Sequence, residues 1–527
     1  MTTPQTTGPT DPTESIGPTG PAARVPYRRT IFFGVVLGAN LQALDTTMAT
    51  VALPRMQGAL SATQDEIAWV LAAYLIGVVI VMPLTGYLSA RIGRKNLFLS
   101  ATAAFIVASM LAGTSDSLSE MVIYRFLQGI SAAPFIPVSQ SFVFDAYTGD
   151  ERGEAMGWWT MGMMSGLLLG PALGGYVTEF HSWRWAFYLN VPLGLLSFFL
   201  VLVFAPVRRI RPSAPPFGFT GFFILAAALV CLQWVLSRGE RLDWFSSREL
   251  VVAMGVVVAL LYVFAIHTAT TTRPFIDREV FRDRNFVIGA TLIVMLGAQW
   301  LSFLALLSPY LQTLSGYPVV TAGMVLVPQA LANGASAFLA GRLVNRVGPI
   351  PLLMFGICGV VAANWGMSML TPGFDKHTFY AVVMLHGAGL GFFFVPLTVV
   401  TFSTLPARHT DVGTGIYALG RNLGSSIGVS LTVAYLVRQT QANHAILSEN
   451  ISPFNEALRH LPLPEVWRLG DAVGLAAIDA VTTQQAATLA YINDFRLLGT
   501  AMILVIPLVL LIRMPRRTNP PIAVPAE

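Results

Sequence analysis

One acidic residue and one basic residue interrupt long apolar runs of the sequence at comparable depth. Asp45, the one acidic residue that appears well inside such a run, lies about 15 residues from its start, or roughly 22 Å along a helix. Arg125 lies near the start of another run. An uncompensated charge inside a membrane costs about 2.5 to 3.5 kcal/mol, and these two residues could pair when the helices pack together. Burial favours the neutral form of a carboxyl and a neighbouring cation favours its charged form, so such a carboxyl can bind and release a proton. The pair is therefore a candidate for proton coupling, with a fixed structural ion pair as the alternative.

Other polar residues in the apolar runs are candidates for a substrate pathway. Gln42 shares a helix face with Asp45 and could hydrogen-bond its carboxyl or only satisfy a helix contact. A lone histidine such as His386 is more often packed than functional, whereas Arg421 needs a partner. The pathway candidates are Gln42, Gln128, His386, Arg421 and Tyr417. Adaptable pocket walls could come from Trp158, Trp159, Met161, Met163, Met164, Trp300, Phe303, Tyr310, Phe392, Phe393 and Phe394.

The composition requires that these residues be placed in a membrane. Of 527 residues, 54% are hydrophobic and 11% are charged, against roughly 25% charged in soluble domains. Fourteen runs of about 20 apolar residues predict fourteen membrane-spanning helices in an all-α protein. The last two are expected at residues 412–437 and 494–512.

Charge distribution predicts which side of the membrane each connection occupies. Connections on the side of the termini hold 20 Lys and Arg residues, whereas the opposite short loops hold five. The positive-inside rule therefore predicts that both termini are cytoplasmic. The net charge of +5 then reflects topology and not nucleic-acid binding. Residues 1–23 have no apolar stretch and indicate a disordered tail instead of a signal peptide.

The two halves of the chain repeat one another. Four residues recur 255 positions later, where a helix meets a basic loop: Gly86, Leu88, Arg91 and Gly93 as Gly341, Leu343, Arg346 and Gly348. Such parallel repeats predict two six-helix bundles, here with two inserted helices, and a substrate site between them. The expected units are a disordered tail 1–27, an N-terminal bundle 28–205, a two-helix linker 206–285, a C-terminal bundle 286–515 with a periplasmic loop 438–493, and a tail 516–527.

Five motifs carry a resemblance to a known family. They are Leu44-Asp45-Thr46-Thr47, the segment from Gly86 to Lys95, Arg125-Phe126-Leu127-Gln128-Gly129, the segment from Gly166 to Gly175, and the segment from Trp183 to Pro192. Over residues 28–515 the chain resembles the fourteen-helix drug:proton antiporters of the major facilitator superfamily. Ala90 stands where that superfamily usually has Asp, which removes a charge that takes part in gating.

The resemblance implies a proton-driven exporter of small hydrophobic, drug-like compounds in the bacterial inner membrane. It implies gating roles for Gly86, Arg91, Gly93, Arg94, Gly166, Gly170, Pro171, Gly174 and Gly175. The glycines from 166 to 175 form a bare helix stripe, expected to contact the opposite bundle and seal the pathway on one side. Ser452-Pro453-Phe454-Asn455 resembles loops of exporters that use a periplasmic adaptor and an outer-membrane channel. Short amphipathic helices that dock an adaptor are therefore expected in loop 438–493, with a simple lid as the alternative.

Other functional classes find little support in the sequence. The chain has no Gly-x-x-x-x-Gly-Lys-Ser/Thr loop, so a nucleotide-driven pump is excluded and the energy must come from an ion gradient. It shows no metal-spaced histidine pair and no catalytic dyad, so no enzyme, metal or cofactor is predicted. The remaining alternatives are an exporter of one metabolite or antibiotic and a membrane receptor or scaffold without transport.

Overall fold

The computed structural model describes residues 27–147, 151–206, 218–272, 274–369, 376–449, 451 and 472–513. These segments are helical, with short turns and no strand among them. The two predicted tails lie outside the described residues, apart from Tyr27. So does the Ser452 to Asn455 motif.

Fourteen long helices follow one another through the described residues. They are α1 Arg28–Ala59, α2 Trp69–Ile92, α3 Arg94–Thr114, α4 Leu118–Ala146, α5 Glu151–Phe180, α6 Trp185–Phe204, α7 Phe219–Arg238, α8 Arg248–Thr270, α9 Arg284–Leu314, α10 Val319–Val347, α11 Pro349–Ser368, α12 Lys376–Thr401, α13 Thr410–Glu449 and α14 Ala472–Leu510. Twelve are long and apolar enough to cross a membrane, and the other two are α5 and α13. Glycine and polar residues dilute the apolar runs of those two helices. Each predicted span therefore has its helix.

The helices pack as two bundles with a bridging pair. In the first bundle α1 packs against α5 and α6, and α4 packs against α2 and α3. In the second, α12 packs against α10 and α11, and α13 packs against α9 and α14. The inserted helix α7 touches both α2 and α13, whereas α8 buries only Leu250 and Val257 and leans on α7. The predicted architecture of two bundles plus two inserted helices is confirmed.

The last two helices are longer than the sequence predicts. α13 continues to Glu449 instead of residue 437, and α14 begins at Ala472 instead of residue 494. An apolar run shows which part of a helix lies in lipid. The helix itself continues into water until a residue breaks it. Asp494 consequently lies 22 positions after the first residue of α14. The expectation that Asp45 is the one acidic residue well inside a helix is therefore wrong.

Candidate functional site

Asp45 and Arg125 form a buried ion pair in the first bundle. An Arg125 guanidinium nitrogen (Nη1) lies 2.7 Å from Asp45 Oδ2, and the two side chains are 0% and 1% exposed. Asp45 Oδ1 accepts hydrogen bonds from Gln128 at 2.8 Å and from Asn190 at 2.7 Å. The carboxylate charge is thus compensated by one cation and two amide donors, which α4 and α6 bring to α1. The predicted pairing is present.

A second layer holds this pair in place. Ser109 of α3 accepts hydrogen bonds from both Gln128 and Asn190, at 3.1 and 3.0 Å, and donates to the carbonyl of Phe187 at 2.8 Å. The Arg125 guanidinium also lies over the Tyr74 ring, 4.3 Å from its centroid. Four helices of the bundle therefore meet at one polar network. We call Asp45, Arg125, Gln128, Asn190 and Ser109 the aspartate network.

Sequence reasoning missed two members of this network and left the role of Gln42 open. Asn190 lies inside the motif from Trp183 to Pro192, which was the one available signal, and Ser109 had none. Gln42 is buried, but its Oε1 has no hydrogen-bond partner among the described residues. Donors from other helices occupy the carboxyl of Asp45, which leaves for Gln42 the alternative of a helix contact.

The loop after α2 joins the two bundles at one end. Arg94 Nε donates to Asp411 of α13 at 2.7 Å, and Ser89 donates to the same carboxylate at 3.1 Å. Arg94 also pairs with Asp145 of α4. We call Ser89, Arg94, Asp145 and Asp411 the charge clamp. It links the bundles although position 90 holds alanine.

The other gating residues of this loop have distinct positions. A Cβ added to Gly86 would lie 2.6 Å from the Cα of Val412, so only glycine permits this approach between the bundles. Gly93 ends α2 with a φ of +84°, a conformation that favours glycine. Arg91 instead donates to Tyr87 on its own helix at 2.5 Å. The close approach and the turn thus depend on glycines, and the arginine of the clamp is Arg94.

The sequence repeat is visible in a matching contact. A Cβ on Gly341, the counterpart of Gly86, would lie 2.3 Å from the carbonyl oxygen of Gly153 in α5. Arg342 pairs with Glu154 beside it at 3.1 Å. The contact at Gly86 lies near the end of α2 and the contact at Gly341 lies near the end of α10. Both are on the side from which α1 starts. The bundles are therefore closed against each other at that end.

The glycine stripe of α5 does not face the opposite bundle. Added Cβ atoms at Gly166, Gly170 and Gly174 would meet Asn40, Thr47 and Met48 of α1, at 2.8, 1.8 and 2.9 Å. At Gly175 the nearest atom is 3.9 Å away. The expected contact with the opposite bundle is therefore wrong for this stripe. A helix face without side chains can pack closely against any neighbouring helix, and here that helix is α1. Pro171 lies inside α5 without ending it.

The same helix contacts the opposite bundle through earlier glycines. Gly153 faces Gly341, and a Cβ on Gly157 would lie 2.7 Å from the carbonyl oxygen of Ala337. One end of α5 therefore packs against α10, and its other part packs against α1. α5 physically connects the helix that carries Asp45 to the surface between the bundles.

A cavity lies between the bundles, beyond the closed end. It is lined by Thr160, Met163, Met164, Leu296, Trp300, Asn333, Leu390, Phe394 and Arg421. Arg421 is 6% exposed and has no anionic partner among the described residues, and Asn333 Oδ1 likewise has no partner there. The site thus combines apolar, adaptable walls with one cation. Walls of this kind suit the apolar body of a small molecule.

The other predicted pathway residues lie elsewhere in the packing. Tyr417 is buried with its hydroxyl 3.1 Å from Thr398. The His386 ring stacks on Phe303 with centroids 3.6 Å apart, and its Nδ1 lies 2.9 Å from Gln329 Nε2. Gln128 belongs to the aspartate network. Of the five predicted pathway residues, Arg421 lines this cavity.

Two pseudo-repeated bundles with a cavity between them, closed at one end, define the class of secondary transporter. The chain belongs to the Major Facilitator Superfamily, whose family model matches residues 35–429. It is a multi-pass membrane transporter and not an enzyme.

Similar proteins include several exporters. Multidrug export protein EmrB of Escherichia coli K12 is 32% identical over 420 residues, which is 80% of this chain and 82% of that protein. Fatty acid resistance protein FarB of Neisseria gonorrhoeae is 29% identical, over 91% of this chain and 95% of that protein. The human organic anion transporter MFSD10 matches 92% of this chain and all of its own, with a TM-score of 0.60 at 15% identity. At that identity the structural match supports the fold alone.

Proposed function

We propose that this protein is a proton-driven multidrug exporter of the bacterial inner membrane, with both termini in the cytoplasm. The observation that carries the proposal is the aspartate network, in which a carboxyl is buried at 1% exposure and compensated by a cation. The similarity to EmrB supports export of several compounds. With this orientation the charge clamp lies at the cytoplasmic end, so the cavity is closed to the cytoplasm.

Proton binding at Asp45 would act on the fold through charge. A neutral carboxyl no longer balances Arg125, so the donors that converge on it lose their anion and the contacts of α4 and α6 with α1 change. α1 carries the movement to the stripe of α5, and α5 carries it to Gly341 across the interface. Protonation and closure of the cytoplasmic end are thereby coupled through packed elements.

The cavity indicates what is carried. Methionine and aromatic side chains adapt to different apolar shapes, which suits hydrophobic drug-like substrates. Arg421 adds a cation that has no anionic partner among the described residues, so it favours substrates with an anionic group. The name of the relative FarB, a fatty acid resistance protein, fits this preference.

The coupling role is tested with purified protein in liposomes under an imposed pH gradient. We expect Asp45→Asn to insert and to bind substrate, but to reduce substrate-dependent proton release to the level of empty liposomes, because Asn cannot release a proton. Fluorescent anionic and cationic dyes serve as substrates. His377→Gln, at an exposed position of α12, is the matched control. Proton release that persists in Asp45→Asn would remove Asp45 from the mechanism.

We also propose that the ends of α13 and α14 away from the charge clamp dock a periplasmic adaptor, which passes substrate to an outer-membrane channel. α13 has 40 residues and extends about 60 Å, twice the roughly 30 Å of a hydrocarbon core. His444 of α13 lies 2.9 Å from Asp479 of α14, so the helices stay paired near their tips. Val473 and Leu475 are 68% and 48% exposed there. These exposed apolar side chains suit a protein partner.

Deleting residues 450–470, which except for Ile451 lie outside the described residues, tests this docking. We expect the deletion to leave export in vesicles intact and to abolish both resistance of whole cells and co-purification of the adaptor. Arg241→Gln, in a short loop on the same predicted side, is the control. An adaptor that still co-purifies with the deletion variant would show that the docking idea is wrong.

A further inference from the structure

A second aspartate, Asp494, is enclosed in the C-terminal bundle. α14 begins at Ala472, 22 positions before Asp494, and the Asp494 side chain is 0% exposed. Neither carboxyl oxygen has a hydrogen-bond partner among the described residues. Asp45, in contrast, accepts three hydrogen bonds. The two buried aspartates therefore occupy opposite environments in the same conformation.

The surroundings of Asp494 are aromatic and apolar. Phe495, the next residue, contacts Phe303 of α9 with ring centroids 5.7 Å apart. Tyr491, about one turn earlier, contacts Tyr310 at 5.4 Å. Titratable or charged side chains on α14 and on the helices around it include Tyr310, Tyr380, His386, Tyr435, Arg438, Tyr491 and Arg496, of which Arg496 is exposed. α11, which also packs against α14, has no charged residue. In the described part of the chain, no cation pairs with Asp494.

The neighbouring end of α9 is an irregular helical segment. Residues Tyr310–Leu314 form a π turn directly after Pro309. π turns interrupt regular helices and are frequent at functional sites. Tyr310 is buried, and its ring contacts Tyr491 of α14, about one turn before Asp494. The uncompensated carboxyl of Asp494 thus lies beside a backbone irregularity of the adjoining helix.

A charged carboxylate in these surroundings would have neither a donor nor a cation, and binding a proton removes that cost. We propose that Asp494 is a second proton-binding carboxyl of the transporter, neutral in this conformation. This proposal rests on the proposed function. When the π turn rearranges, water reaches the carboxyl, its O–H bond breaks, and the proton passes to that water. Proton exchange would then use a charged carboxyl, Asp45, in one bundle and a neutral carboxyl, Asp494, in the other.

The first experiment measures the protonation state without transport. Infrared difference spectra of the full-length protein in lipid are recorded between neutral and alkaline pH. We expect a carbonyl band of a protonated carboxylic acid in the wild type, in Asp45→Asn and, displaced, in Asp494→Glu. The band should be lost in Asp494→Asn. If Asp494→Asn shows the wild-type spectrum, the carboxyl is not the protonated group and the proposal is overturned.

The second experiment counts protons in liposomes. We expect Asp494→Asn to keep dye transport while losing one proton per dye molecule relative to the wild type. An unchanged proton count would identify a permanently neutral structural carboxyl and overturn the proposal. Absence of proton movement in the wild type would overturn the proposed function, and the infrared result would still establish whether Asp494 holds a proton.

Discussion

The two bundles differ at a position that the sequence repeat makes equivalent. Gln128 of α4 donates to Asp45 of α1 in the first bundle. In the second bundle His386 of α12, which lies 258 positions after Gln128, stacks on Phe303 of α9. One bundle thus holds a charge at this place, and the other holds two stacked rings.

This difference indicates which half of the protein responds to protons at this position. The contact at Asp45 depends on the ionisation of one carboxyl, so a proton can change it. The contact at Phe303 depends on ring packing and requires no charge. A duplicated fold can therefore keep its shape in both halves while only one half senses protons at this site.

Among the substitutions that test this comparison, Arg125→Met is expected to have the largest effect. Removing the cation leaves Asp45 buried with amide donors only, and breaking such a pair costs about 3 to 5 kcal/mol. Thermal unfolding of the purified protein in lipid measures this loss. The double variant Asp45→Asn with Arg125→Gln should recover most of the stability, because no bare charge remains, but it should not recover coupling. A single variant as stable as the wild type would contradict the interpretation.

The glycine stripes provide a feature in which the halves agree. A Cβ at Gly170 would lie 1.8 Å from Thr47 Oγ1, and one at Gly428, its counterpart in α13, would lie 2.5 Å from the Cα of Ala298. We expect Gly170→Ala and Gly428→Ala each to lower the free energy of unfolding by about 1 to 3 kcal/mol through overpacking. Gly175→Ala, with its nearest atom at 3.9 Å, is the matched control and should change it by less than about 0.5 kcal/mol. Equal effects at Gly170 and Gly175 would refute the packing argument.

The smallest effect is expected from His386→Gln, which gives the second bundle the residue type of the first. The substitution removes the ring stack on Phe303, worth about 0.5 to 1.5 kcal/mol, and keeps a polar group near Gln329. Proton-coupled dye transport in liposomes should be retained. If coupling fell as far as in Asp45→Asn, the division of work between the halves would be wrong.

The sequence predicts the fold and the central ion pair because both follow from the cost of exposing or burying groups in lipid. Fourteen apolar runs and the few charges inside them leave few other arrangements. Asn190 was not assigned a role because it is 145 positions from Asp45, and only the packing of α6 against α1 brings them together. The spacing of the glycine stripe shows that some helix approaches closely, but not that the helix is α1. Asp494 was missed because hydropathy locates the lipid boundary and not the start of a helix.

The continuity of α13 has a mechanical consequence. Asp411, in its first turn, belongs to the charge clamp, and the helix runs unbroken for 40 residues to Glu449. A straight rod of about 60 Å that pivots at one end moves its other end by about 1 Å for each degree of tilt. A small opening of the clamp is thereby amplified at the far tip. A protein that grips this tip would register each transport cycle as a displacement, without touching the substrate or the proton.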